Sequence, residues 1–92
     1  MVKLRLFAAL RELAGSKEVE VQAQGDALSI AEALEQLAAR FGDKARGILF
    51  DKQGAVQSSV LLLVNGEPAQ HGAATRVKPG DTVAVLLPTA GG

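Results

Sequence analysis

Apolar and basic side chains alternate through Val2-Lys3-Leu4-Arg5-Leu6, the period-two signature of a half-buried strand. Strand geometry then sends Val2, Leu4 and Leu6 to the core and Lys3, Arg5 and Phe7 to the opposite face. Ala8 to Ala14 is built of helix formers and stops at Gly15, which suits a helix of one or two turns closed by a left-handed residue. Lys17-Glu18-Val19-Glu20-Val21 alternates again, close enough behind the first strand to pair with it antiparallel.

The period then changes. Ile30, Ala33, Leu34, Leu37, Ala38 and Phe41 recur at helical spacing and form one apolar face, so Ser29 to Phe41 reads as the main helix. Ser29 followed by Glu32 is a capping box at its start, and Gly42 ends it. Asp43 to Phe50 suits a further helical turn with Ile48, Leu49 and Phe50 over the core, although Gly47 weakens it. Val60 to Val64 is apolar on both faces and reads as a central strand. Asn65-Gly66 then marks a hairpin, since both positions tolerate positive φ. Pro68 confines the returning strand to a sheet edge. Lys78-Pro79-Gly80-Asp81 is a turn before the last strand, Thr82 to Leu87, with Val83, Val85 and Leu87 on one face and Ala84 and Leu86 on the other. Strand, strand, helix, short helix and three strands describe an α+β chain of β-grasp, or ubiquitin-like, architecture: a mixed sheet against one main helix. The expected division is a single domain over 1–88 and a flexible tail over 89–92, with no repeat or linker.

Composition narrows the chemistry. A chain of 92 residues buries only about 60–65% of its unfolded surface and needs one compact core. With 48% hydrophobic residues but three Phe and no Trp or Tyr, that core must be mostly aliphatic. Ten basic and ten acidic residues cancel without forming blocks, so nothing argues for nucleic acid or a membrane surface as partner. The absence of cysteine excludes disulfides, thiolate metal sites and persulfide chemistry on this chain. The N-terminus has no signal-peptide or membrane-span pattern, and the default location is the cytoplasm. No metal-ligand spacing occurs. His71, in Gln70-His71-Gly72, has no nearby acidic or cysteine partner and reads as a solvated loop residue. Arg11 and Glu12 read as solvated charges. Gly42 to Gly47 lacks the Gly-Lys-Ser/Thr ending of a phosphate loop.

The remaining candidate is the end of the chain. Thr89-Ala90-Gly91-Gly92 follows Pro88, and glycine without Cβ can lie thin and extended in a narrow channel. The functional group at its tip is the Gly92 α-carboxylate. Adenylated by ATP, it becomes open to attack by sulfide, a thiol or an amine.

Lys3-Leu4-Arg5-Leu6-Phe7-Ala8-Ala9-Leu10-Arg11-Glu12-Leu13-Ala14-Gly15 resembles the start of the molybdopterin synthase small subunit family, in which an apolar strand runs into Phe-Ala-x-x-Arg-Glu-x-x-Gly. Gly80-Asp81-Thr82-Val83-Ala84 through Gly91-Gly92 resembles the family's C-terminal motif, and Leu63-Val64-Asn65-Gly66 fits its hairpin. The family often carries a second proline where this chain has Thr89. The resemblance implies a sulfur carrier rather than an enzyme. An E1-like adenylyltransferase would activate Gly92 with ATP, and a sulfur donor such as a cysteine desulfurase would convert it to a thiocarboxylate. The tail, Thr89 to Gly92, would then enter the large synthase subunit of a heterotetramer to form the dithiolene of molybdopterin. No cofactor or metal would be bound to the chain itself. Phe7, Leu61 and Leu86 match the family's partner-binding positions; strand parity also puts Phe7 outside the core, and Leu63 either joins it or turns inward. Three alternatives stay open. Carriers for thiamine or tRNA thiolation use the same tail, but are typically shorter between positions equivalent to Phe41 and Val60. A protein modifier would form isopeptide bonds through Gly92. A plain interaction module would make no use of the tail.

Overall fold

The computed structural model describes residues 1–23 and 25–87. The N-terminal alternation becomes β1 (Val2–Leu6), with Val2, Leu4 and Leu6 buried and the intervening side chains outward. A short helix, α1 (Ala8–Ala14), follows and closes on Gly15 at φ 70°, whose N–H donates to Arg11 O at 2.9 Å. The chain returns as β2 (Glu18–Val21), antiparallel to β1 with Leu4 opposite Val19. The main helix, α2 (Ile30–Phe41), buries Ile30, Ala33, Leu34, Leu37 and Ala38. Its capping box is formed on both sides: Glu32 N–H donates to Ser29 Oγ at 3.1 Å and Ser29 N–H to Glu32 Oε1 at 2.8 Å. That Ser29 bond, aided by Arg76, holds the Glu32 carboxyl below its usual range. Gly42 breaks the helix at φ 90°, and α3 (Asp43–Leu49) packs against α2 with Ala45 and Leu49 buried.

The second half supplies β4 (Leu61–Val64), β5 (Glu67–Pro68) and β7 (Thr82–Leu86). The five-stranded sheet runs β2-β1-β7-β4-β5. Among the described residues its only parallel neighbours are β1 and β7, with Leu6 opposite Val85. The helices cover one face, burying the aliphatic core that the composition requires.

The apolar run at Val60 to Val64 supplies β4, an interior strand between β7 and β5 as expected, with Leu62 buried and Leu61 53% exposed on the outer face. One difference from the sequence reading is a two-stranded ribbon of β3 (Leu28–Ser29) and β6 (Arg76–Val77), pairing Leu28 with Val77. Two residues per strand are too few to show alternation. The last strand also ends at Leu86, one residue before its expected end.

Candidate functional site on the outer sheet face

Register sets out the face the helices leave open. Leu61 lies directly opposite Leu86, and Leu63 opposite Ala84, across β4 and β7. On the other side of β7, Ala84 faces Arg5 and Thr82 faces Lys3. Phe7 follows Leu6, the partner of Val85, and so stands level with Leu86. The structure therefore brings Phe7, Leu61 and Leu86 to one end of the outer face, with Leu61 exposed and the other two half-buried. Leu63 joins them rather than turning into the core. The opposite end is polar, with Lys3, Thr82 and Asn65. Because β7 runs from the polar end to the apolar end, the chain leaves the sheet beside the apolar patch.

The charges on this face are arranged around Glu18, whose carboxylate lies 3.8 Å from Lys3 Nζ and 3.6 Å from Arg5 Nε. The Arg5 guanidinium also sits 5.9 Å from the Phe7 ring centroid, a geometry that favours cation–π attraction. Such exposed pairs stabilise the fold by no more than about 1 kcal/mol each; their larger effect is to shape the face.

A polar clamp, not evident from the sequence, fixes where β7 begins. Asn65 and Gly66 take φ values of 52° and 88°, as a tight hairpin between β4 and β5 demands. The Asn65 side chain accepts from Thr82 N–H at 3.0 Å and donates to Asp81 Oδ1 at 3.1 Å, while Lys78 N–H donates to Asp81 Oδ2 at 3.0 Å. The Lys78 N–H, then the Asn65 amide, holds the Asp81 carboxyl below its usual range. Asn65 and Asp81 are sixteen residues apart, so only the separate turn signals at Asn65-Gly66 and Pro79-Gly80 hint at the clamp. A second feature missed by the sequence reading is Ala8, which takes φ 53° immediately after Phe7. Its only signal is position, where a strand turns abruptly into a helix.

The other candidates resolve simply. His71 is exposed in a loop, its N–H donating to Thr75 Oγ1 at 2.9 Å. Arg11 and Glu12 are exposed, and Gly42 to Gly47 form the start of α3. Among the described residues no cluster of His, Cys, Asp and Glu could hold a metal, and no helix is long and apolar enough to cross a membrane. Thr89, Ala90, Gly91 and Gly92 lie outside the described residues.

A mixed sheet gripping one main helix, with an apolar outer end at the root of the C-terminal segment, defines a β-grasp protein of the ubiquitin-like class. Within that class the chain belongs to the ThiS family of ubiquitin-like sulfur carriers, whose model matches residues 4–92. It is 36% identical over 93 residues to small archaeal modifier protein 3 of Haloferax volcanii, an alignment covering 99% of this chain and 98% of that protein. The crystal structure of small archaeal modifier protein 1 from the same organism superimposes with a TM-score of 0.83 at 32% identity, covering 99% and 98% of the two chains. A putative molybdopterin converting factor subunit 1 from Pyrococcus furiosus is also similar, with a TM-score of 0.72, 27% identity and coverage of 96% and 97%. The chain is thus a ubiquitin-like small modifier or sulfur carrier.

Proposed function

We propose that this chain is a protein modifier whose Gly92 carboxylate is adenylated at the expense of ATP by an E1-like enzyme and then joined to lysine amines as an isopeptide. The observation that carries this reading is the similarity to small archaeal modifier protein 3, at 36% identity over 99% of this chain and 98% of that protein. The outer face supports it. An exposed apolar patch suits docking, and here the patch lies where β7 leaves the sheet, so one partner can hold Phe7, Leu61 and Leu86 and receive the C-terminal segment in the same encounter. Adenylation joins the carboxylate oxygen to the ATP α-phosphorus with loss of pyrophosphate. Attack by an amine then expels AMP and forms the amide.

A second reading is favoured by a separate observation. The Phe7 to Gly15 and Gly80 to Gly92 motifs, with the likeness to the Pyrococcus furiosus protein, support a sulfur-carrying subunit of molybdopterin synthase. It shares the activation step and differs in the acceptor, sulfide in place of an amine. Mass spectrometry of the chain isolated from its own cells separates the two. Gly92 linked to a lysine Nζ of another protein supports the modifier. Replacement of one terminal oxygen by sulfur, with co-purification of a large synthase subunit and no lysine linkage, supports the carrier. An unmodified carboxylate with no adenylate formed by the E1-like enzyme would overturn both.

A further inference from the structure

The chain has a single asparagine, Asn65, and a glycine follows it. That pair carries its own chemistry. The backbone nitrogen after an asparagine can attack the side-chain Cγ, closing a succinimide ring. A C–N bond forms, the Cγ–Nδ2 bond breaks, and the amide nitrogen leaves with the proton as ammonia. Water then opens the ring at either carbonyl and leaves aspartate or isoaspartate. Glycine leaves the attacking nitrogen unshielded, and here a Cβ at Gly66 would meet nothing within 4 Å. Both residues are exposed, and the Gly66 N–H makes no hydrogen bond among the described residues. What stands against the reaction is the clamp. Ring closure needs the Asn65 amide to swing toward Gly66, yet Oδ1 accepts from Thr82 N–H at 3.0 Å and Nδ2 donates to Asp81 Oδ1 at 3.1 Å. The amide cannot be turned over, because a backbone N–H only donates and an ionised carboxylate only accepts. Both bonds run to the entry of β7, so cyclisation requires this corner of the sheet to open first.

We infer that Asn65 is a deamidation site guarded by the clamp, and that the carboxylate formed there makes opening of β7 irreversible. Conversion removes the N–H donor that faces Asp81 and puts a second carboxylate in its place, so like charges meet where a hydrogen bond of 3.1 Å stood. The charges around the corner are already engaged. Lys78 acts on Asp81 from the turn, Lys3 on β1 lies 3.8 Å from Glu18, and Glu67 on β5 adds negative charge. Isoaspartate goes further, inserting an extra main-chain carbon into a hairpin with only Asn65 and Gly66 between β4 and β5. Because β7 pairs with both β1 and β4, loosening its entry acts on the strand that joins the two parts of the sheet. A chain that reacts while open no longer closes as before, and the chemical step draws opening forward. The residue thus records how often the sheet opens, whichever acceptor Gly92 serves.

The test incubates the full-length chain in mildly alkaline buffer and follows residue 65 by mass-spectrometric peptide mapping, with ammonia release as a second readout. Acid and isoacid at position 65 are expected to form at least about tenfold more slowly than in a synthetic peptide covering Val60 to Gln70, which has no clamp to open. Asp81→Ala removes one anchor and should speed the reaction by about tenfold or more, the factor that a hydrogen bond to a charged group carries. Should Asp81→Ala impair folding, Asp81→Asn keeps the shape without the charge and should give a smaller rise. Ser29→Ala loosens α2 but keeps the clamp, so its rate should stay within about twofold of the unchanged chain. Equal rates in chain and peptide, or equal acceleration by Ser29→Ala and Asp81→Ala, would overturn the guard. An Asp81→Ala chain free of acid at position 65 once the peptide has converted would overturn the site. Asn65→Asp supplies the product directly. Its urea midpoint should lie below that of the unchanged chain at neutral pH, and the gap should narrow as pH falls toward about 4, where one of the facing carboxyls takes up a proton. An unchanged midpoint at neutral pH would overturn the irreversible opening.

Discussion

Leu37 and Leu61 are the same residue type under opposite constraints, one fully buried and the other 53% exposed. Truncation should separate them. Leu37→Ala removes packed methyl groups and is expected to cost about 2–5 kcal/mol of stability. Phe7→Ala or Leu86→Ala should change the melting temperature little but weaken partner binding by at least about tenfold, the scale of an interface anchor worth about 1.4 kcal/mol or more. Thermal denaturation and an affinity measurement on the same samples check this; a large fall in melting temperature with unchanged affinity would reverse the assignment. Ala8 makes the opposite case, a residue held against its own preference at φ 53°. The left-handed conformation costs a residue with Cβ about 1–2 kcal/mol, and glycine gives back about 0.4–1 kcal/mol of that through the freer unfolded chain. Ala8→Gly should therefore stabilise the fold by roughly 0.5–1 kcal/mol in urea titration. A net loss would show that the backbone there is not strained.

Among the elements, β2 is the exposed edge most open to pairing with another chain, yet its outward backbone groups are largely occupied. Ser16 Oγ accepts from Glu18 N–H at 3.3 Å and donates to Glu18 O at 2.7 Å; Arg40 donates to Glu20 O at 3.4 Å; and the Gln36 amide bonds both Gln22 N–H and Gln22 O, at 3.1 and 2.7 Å. Two of these covering side chains come from α2. Gln36→Ala combined with Arg40→Ala should uncover a template for edge-to-edge pairing, seen as concentration-dependent association by light scattering where the unchanged chain shows none. Loss of the α2 cap in Ser29→Ala should cost about 0.5–2 kcal/mol. Acid should act on two elements together, because the Glu32 carboxylate caps α2 and the Asp81 carboxylate anchors β7. Both carboxyls have native pKa values below their unfolded ones, so the unfolded chain binds more protons in the interval between them. Their contribution is present above the ordinary carboxylate range of about 4 and is lost as pH falls through the lowered native values. Asp81→Asn should flatten the decline of the urea midpoint below about pH 4. This scale also shows what the sequence could and could not reveal. The strands β1 and β2 and the helix α2 are legible because each is long enough for its apolar residues to declare a period. At the outer face, strand parity alone places Phe7 outside the core, and the family resemblance is what joins Leu61 and Leu86 to it. The β3–β6 ribbon and the Asn65–Asp81 clamp are not legible, since each depends on residues that only the folded topology makes neighbours.

At the scale of the molecule, the sheet is joined at its centre by its first and last strands, β1 and β7. Under the proposed function the clamp and the register of β7 set where the chain leaves the sheet, and the remaining residues set how far the carboxylate reaches. Deleting Gly92 withdraws that group by one extended residue, about 3.3–3.6 Å, whereas a displacement of about 1 Å already costs on the order of a hundredfold in rate. Activation should therefore fall to background while the circular dichroism spectrum and partner binding persist; near-normal activation of the shortened chain would exclude the terminal carboxylate. The same topology bears on proteostasis. A nascent or clipped chain that stops before Thr82 has β1–β2 and β4–β5 but nothing to bridge them, since β7 alone pairs with both β1 and β4. Closure is thus a long-range event that waits on the C-terminal strand, and incomplete chains stay open to proteases and chaperones rather than presenting a docking face to the activating machinery. Under the proposed function, folding itself becomes the length check, so that molecules able to compete for activation are those synthesised at least as far as the strand that leads to the C-terminal carboxylate.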